Sequence, residues 1–319
     1  MIKKNNLKYL FIIILLLLAI ISFPVQLAAQ NRPKIGLALG VGGARGYVHI
    51  GVIKALEREG IKIDYIAGSS VGSLIGSLYA LGFSISEIEK VMLEEDFKDY
   101  ITFENISLKM EQDENNRNFI NFALNIKNIF SKPSLPMGLI SAIGIRDRLD
   151  DITNWAHFEF DLKIPFKAVA TDLVTGEMVV LDEGKVSNAV AASISVPGMF
   201  APFQYDGKIL VDGGMKNPVP ADIARQMGAD IVIAVNLWDI TEEPDNLMSI
   251  FYVAERSIDI MVRDLTERSL VHADIVIQPT YQGKYSFFMD KEERINYIKL
   301  GESEVQKKIT SIKELINNF

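Results

Sequence analysis

Gly68-Ser69-Ser70-Val71-Gly72 is the one Gly-x-Ser-x-Gly in this 319-residue chain. When that spacing joins a strand to a helix, the tight turn exposes the central hydroxyl and makes it a candidate nucleophile. Gly68 and Gly72 would let strand and helix pass without a Cβ clash, and the helix N-terminus favours developing negative charge. Ser69 lies off the motif centre and is the lesser candidate. A serine hydroxyl needs a base, and the three histidines, His49, His157 and His272, all lie away from the motif in sequence.

Two other places bear on that chemistry. "ILVDGGMKNPVP" (209–220) is a strand delivering Asp212 onto Gly213-Gly214, where two glycines let the backbone fold close to a partner loop. "GVGGARG" (40–46) is a second glycine cluster between a strand and a helix. It is not a P-loop, because Tyr47-Val48 follows where Lys-Ser/Thr would be needed. Nor is it a dinucleotide loop, because Arg45 stands at the third glycine and the next strand ends without an acid. A row of backbone N–H groups over Gly42, Gly43 and Ala44 remains, able to receive an oxyanion. Arg45 either holds that loop, meets a phosphate or faces solvent. The order Ser70…Asp212…His272 is also that of an α/β-hydrolase triad, although in that fold the serine follows a later strand. His272 precedes a buried-looking strand, which suits a structural or surface role.

The elements that must position these residues alternate. Apolar runs at 34–40, 62–68, 166–173, 177–182, 208–213, 230–237 and 273–279 read as strands, with helical spacing at 46–60 and 71–82 and between most of the others. Such alternation predicts a mostly parallel sheet covered on both faces, in a single domain. Residues 245–265 and the C-terminal stretch read as amphipathic helices, the former a core helix or a membrane-facing or dimer face. Residues 103–148 are the least regular part: a solvated insertion, or a flap whose apolar residues from Phe119 to Ile143 would face lipid.

Composition narrows the class. Lys3, Lys4 and Lys8 precede an apolar run from Tyr9 to about Ile21 and then the small pair Ala28-Ala29, the layout of an export signal over residues 1–29, or else a retained N-terminal anchor. The domain proper is then 30–319. Loss of residues 1–29 removes three lysines and no acids, taking the formal charge from −8 to −11. A chain that acidic is poorly suited to nucleic acid, and any peripheral membrane contact must be apolar. With no cysteine there are no disulfides, no thiolate metal sites and no lipidated N-terminal cysteine.

Together, "LGVGGARGYVHIGVIKALE", "IAGSSVGSLIGSLYA", "PMGLISAIGIRDRL", "VATDLVTGE", "ASISVPGMFAPF", "LVDGGMKNPVP" and "ADIVIQP" resemble the patatin-like phospholipase family, in the bacterial branch akin to the neuropathy target esterase catalytic domain. The resemblance covers about residues 34 to 300. It implies a three-layer α/β/α fold, a lipid acyl hydrolase without metal or other cofactor (exported, on the leader-like N-terminus), and a Ser–Asp dyad: Ser70 as nucleophile, Asp212 as base, an oxyanion hole at Gly42, Gly43 and Ala44, with Arg45, Gly68, Gly72, Gly213 and Gly214 in support. Val41 stands where many members have a further glycine. A non-catalytic lipid binder and a Ser–Asp–His esterase are the rival readings.

Overall fold

The computed structural model describes residues 32–94, 141–238, 250–281 and 289–319. The expected export signal and residues 103–140 of the expected flap lie outside the described residues. Residues Lys34–Phe319 form one unit.

Five-residue strands with every side chain buried need apolar or small residues at each position, not an alternating pattern. Ile35–Leu39 (β1) and Ile231–Val235 (β7) meet that demand throughout, and Tyr65–Ser69 (β2) in all but its first residue. Phe166–Asp172 (β3) and Ile275–Ile277 (β8) complete the parallel part, in which β1 pairs β2 and β7, β2 pairs β3, and β7 pairs β8. Met178–Leu181 (β4), Phe203–Tyr205 (β5) and Lys208–Asp212 (β6) add antiparallel strands at one side: β4 and β6 on β3, and β5 on β6. The sheet is therefore mixed and mostly parallel, as its sequence suggests.

Successive strand residues face opposite layers, and their sizes differ by face. Leu37, Leu39, Ile66, Phe166, Ile233 and Val235 enter the larger core. That core is roofed by helices Tyr47–Arg58 (α1), Val71–Ala80 (α2), Ile85–Glu94 (α3), Ile143–Thr153 (α4), Val186–Ser193 (α5) and Lys291–Asn317 (α8). Ala38, Ala67, Val169, Val232 and Ala234 face a second, thinner core under Ala221–Gln226 (α6) and the end of Ile250–Leu270 (α7). Small residues on this face let α6 approach closely: a Cβ at Gly36 would stand 3.2 Å from that of Ala224. Each large aliphatic side chain so buried contributes roughly 1.5–3 kcal/mol.

The C-terminal helix α8 begins with a capping box, in which the Asp290 side chain accepts from the Glu293 amide and Glu293 answers the Asp290 amide. It lies against α1 at backbone distance. A Cβ on Gly51 would overlap the Ile298 carbonyl, and one on Gly301 would overlap that of Val48. Gly51→Ala should accordingly cost about 1–3 kcal/mol, read as a lowered urea midpoint. An unchanged midpoint would show that the two helices can part freely.

Residues 143–148, which read as irregular in sequence, are the first half of α4. Among the described residues no helix is long and apolar enough to cross a membrane.

Candidate active site

Register along β3 brings the serine and the aspartate together. On one edge, Ala168 to Thr171 pair with Leu181 to Met178 of β4. On the other, Ile66 to Ser69 of β2 pair with Phe166 to Val169, and Asp212 to Leu210 of β6 take over at once, pairing with Ala170 to Asp172. The strands β2 and β6 thus share one edge of β3 and meet head-on. Ser69 and Asp212 face adjacent residues of β3, about 3.3 Å apart along it. Each chain then turns out of the sheet, into α2 at Ser70 and into a 3-10 turn at Gly213–Met215. Gly213 is required at this junction, because a Cβ would overlap the Val169 carbonyl and stand 2.6 Å from Ser69 Oγ.

Ser70 has φ 54° and ψ −128°, a conformation that costs a non-glycine residue about 1–3 kcal/mol. Hydrogen bonds hold both of its backbone groups there. Its carbonyl accepts from the Ser73 amide at 2.8 Å and the Ser73 hydroxyl at 2.6 Å, and its N–H donates to Ser193 Oγ at 2.9 Å. Gly72 admits α2 against β1, since a Cβ there would overlap the Leu39 carbonyl, and one on Gly68 would stand 2.6 Å from Ser73 Cα. This is the strand–turn–helix that the sequence motif predicts.

Asp212 is buried, and the 3-10 turn ties one of its oxygens, Gly214 N–H donating to Oδ1 at 2.7 Å. The other oxygen, Oδ2, is buried and accepts no regular hydrogen bond among the described residues. Burial pushes the carboxyl up to about 6, while the Ser70 hydroxyl, close enough to be felt, and the Gly214 amide each pull it part of the way back. The result is an acid that is ionised at neutral pH yet more basic than a solvated aspartate, with Oδ2 left free of the Gly214 amide.

The glycine loop lies beside the elbow: a Cβ on Gly46 would overlap Val71 Cγ2. Val41 is buried with its Cγ1 facing Gly214, and its N–H is spent on the Pro218 carbonyl at 2.9 Å. The extra side chain therefore anchors the loop to the segment following Asp212. The next two amides, of Gly42 and Gly43, have no partner among the described residues. They precede the 3-10 turn Gly43–Gly46, and Gly43 adopts φ 51°. Ala44 is partly buried against the larger core. Arg45 is buried with its guanidinium 4.1 Å from the centre of the Tyr281 ring, which removes the solvent-facing alternative.

The histidines fall elsewhere. His272 follows α7 at the N-terminal end of β8, on the sheet rim opposite the C-terminal end of β2, and it is exposed. A Ser70–Asp212–His272 triad is excluded by that placement. His157 pairs with Lys185 in an isolated bridge and lies 3.7 Å from Glu159. His49 belongs to α1 but is wholly buried beneath the glycine loop, its Nε2 2.8 Å from the Gly40 carbonyl. Burial lowers its pKa to about 4, and the Gly40 carbonyl raises it only in part, so the ring is neutral and donates Nε2–H. Among the described residues no cluster of acids and histidines could hold a metal ion.

Two serines that sequence motifs do not single out complete the site. Ser193 Oγ donates to the Val169 carbonyl at 2.6 Å, and the Ser195 carbonyl accepts from the Asp212 amide at 2.9 Å. Both lie within "ASISVPG", one of the blocks that carries the family resemblance.

A strained serine elbow, a buried aspartate and the two unpartnered amides of Gly42 and Gly43 thus lie at one rim of an α/β/α sheet. A family model described as patatin-like phospholipase matches residues 37–225, and the chain belongs to that family. An uncharacterized NTE family protein of Mycobacterium tuberculosis is 35% identical over 213 residues, which are 67% of this chain and 51% of the relative. Patatin-like phospholipase domain-containing protein 6 of Homo sapiens is 35% identical over 205 residues, 64% of this chain and 13% of the relative. The chain thus spans about half the length of the first and a small part of the second. VipD from Legionella pneumophila shares the fold, with a TM-score of 0.51 and 16% identity over 89% of this chain and 67% of that one.

Proposed function

We propose that the chain hydrolyses carboxylic esters of phospholipids or lysophospholipids through an acyl-serine formed on Ser70, with Asp212 as the base and no histidine. The observation that carries this reading is the head-on meeting of β2 and β6, which supports direct proton transfer from the Ser70 hydroxyl to the open oxygen of Asp212. As Ser70 Oγ attacks the ester carbonyl, its proton passes to Asp212, and the carbonyl oxygen gains negative charge beside the Gly42 and Gly43 amides, with Ala44 next along the turn. Protonated Asp212 then returns the proton to the departing alcohol. A water, deprotonated in turn by Asp212, releases the fatty acid and restores the serine. A carboxyl near 6 suits this better than an ordinary one, because its basicity lies closer to that of the group it must deprotonate, yet it is charged at pH 7.

The apolar leader-like stretch and the net charge of −8 support an exported protein that meets lipid through apolar contact and not through charge. The test is mass spectrometry of a lipid extract incubated with the wild-type protein and with Ser70→Ala. Free fatty acid together with the matching lyso-lipid or glycerophospho product, formed by the wild type alone, is the expected result. Identical extracts after both incubations would overturn the reading.

A further inference from the structure

Ser193 is a buried hydroxyl at the C-terminal end of α5 that lies in neither glycine loop nor on either strand bearing the reacting groups. It occupies the middle of a relay. The Ser70 N–H donates to Ser193 Oγ at 2.9 Å, and the Ser193 hydroxyl donates to the Val169 carbonyl at 2.6 Å. With its proton committed to Val169, the oxygen has a lone pair fixed toward Ser70, and each bond polarises the other.

Both ends of the relay matter. Ser70 is held at φ 54°, and its amide is the group that would turn if the residue relaxed to an ordinary conformation. Such a turn would carry the hydroxyl away from Asp212. Val169 is the β3 residue opposite Ser69, and its neighbour Ala170 faces Asp212. Two residues beyond Ser193, the Ser195 carbonyl holds the Asp212 amide at 2.9 Å. The segment Ser193–Ser195 therefore grips the serine turn with one end and the acid strand with the other.

Resting on the reading of Ser70 as nucleophile, we propose that Ser193 is a positioning residue, which sets the Ser70 hydroxyl on the Asp212 carboxyl by fixing the strained Ser70 peptide to β3. It does not touch substrate. Removing it leaves the binding surface intact and misplaces the nucleophile, and a displacement of about 1 Å costs on the order of a hundredfold in rate.

The experiment measures three quantities on the full chain: the second-order rate of Ser70 labelling by a fluorophosphonate, kcat and KM on a p-nitrophenyl ester, and the thermal midpoint. Ser193→Ala should lower the labelling rate and kcat together by about 10- to 100-fold, with KM within about twofold. Ser193→Thr, which keeps the hydroxyl, should restore most of the loss. Ser187→Ala provides the comparison. It removes another buried hydroxyl from the same helix, one bonded to Asp150 Oδ1 at 2.6 Å and remote from Ser70. It should lower the midpoint while leaving the labelling rate alone. Should Ser193→Ala not fold, Ser193→Cys, of similar volume but a weak acceptor, carries the same expectation. Wild-type labelling and turnover in a folded Ser193→Ala or Ser193→Cys would overturn the proposal. Failure of the wild type to label at Ser70 would overturn the nucleophile reading, and this proposal with it.

Discussion

Ser70→Ala and Asp212→Asn should each lower kcat/KM for ester hydrolysis by about four orders of magnitude or more, the scale of losing a nucleophile or its base. His272→Ala should leave it within about twofold, because that side chain is exposed at the opposite rim of the sheet. The asparagine variant isolates proton transfer: its amide can still accept from the Gly214 N–H, so the turn is kept while basicity is lost. The same carboxyl should govern the pH profile. For the wild type, kcat/KM should rise as pH passes through about 6, where Asp212 gives up its proton, and His272→Ala should not move that limb. A limb in the ordinary carboxylate range, or a His272→Ala variant as inert as Ser70→Ala, would refute the two-residue mechanism.

The second large effect is on stability, and it has the opposite sign for the same residue. Asp212 is held up to about 6 in the folded chain against 3.8 for the free side chain. Its contribution to stability is thus fully present below about 4 and is lost as pH rises through about 6. At pH 7 the buried carboxylate costs about 3 kcal/mol. Asp212→Asn should therefore be the more stable protein at pH 7, by about 2–3 kcal/mol in urea titrations, while lacking activity. His49 works the other way. Its pKa falls from 6.5 to about 4 on folding, so the stability it contributes is present above 6.5 and is lost as pH drops toward 4. In the wild type the two groups oppose one another across pH 4 to 6 and leave a flat profile from this pair. Asp212→Asn should expose the acid lability of His49, and His49→Gln should expose the reverse slope. An Asp212→Asn midpoint below that of the wild type at pH 7 would contradict a desolvated carboxylate at this position.

Much of this is legible in the sequence, for physical reasons that also mark where legibility ends. β1, β2 and β7 are uninterrupted short runs of apolar and small residues, and Gly-x-Ser-x-Gly after such a run leaves little choice of backbone. Asp212 announces itself because an acid before two glycines is an uneconomical way to end a strand unless backbone must pass close by. The meeting of β2 with β6 is not legible. Residues 69 and 212 are brought together only through β3, and pairing between distant segments leaves no local periodicity. β5, at three residues, is too short to show alternation. The first half of α4 hides behind Gly144 and a run of turn-forming residues before it. The burial of His49 is equally illegible: nothing in the helical run 46–60 shows that its ring is enclosed with Nε2 against the Gly40 carbonyl. Beyond its place in the "ASISVPG" block, Ser193 carries no sequence signal, since what distinguishes it is the pair of backbone groups it meets.

Because hydroxyl and carboxyl are delivered by two strands sharing one edge of a third, their separation is quantised. A ladder can slip only in steps that preserve which face each side chain occupies, two residues or about 7 Å at a time. Gradual drift of the acid away from the serine is thereby forbidden. Insertions and deletions in the turns leading to β6 can accumulate without detuning the pair, until one of them forces a whole step and silences it outright.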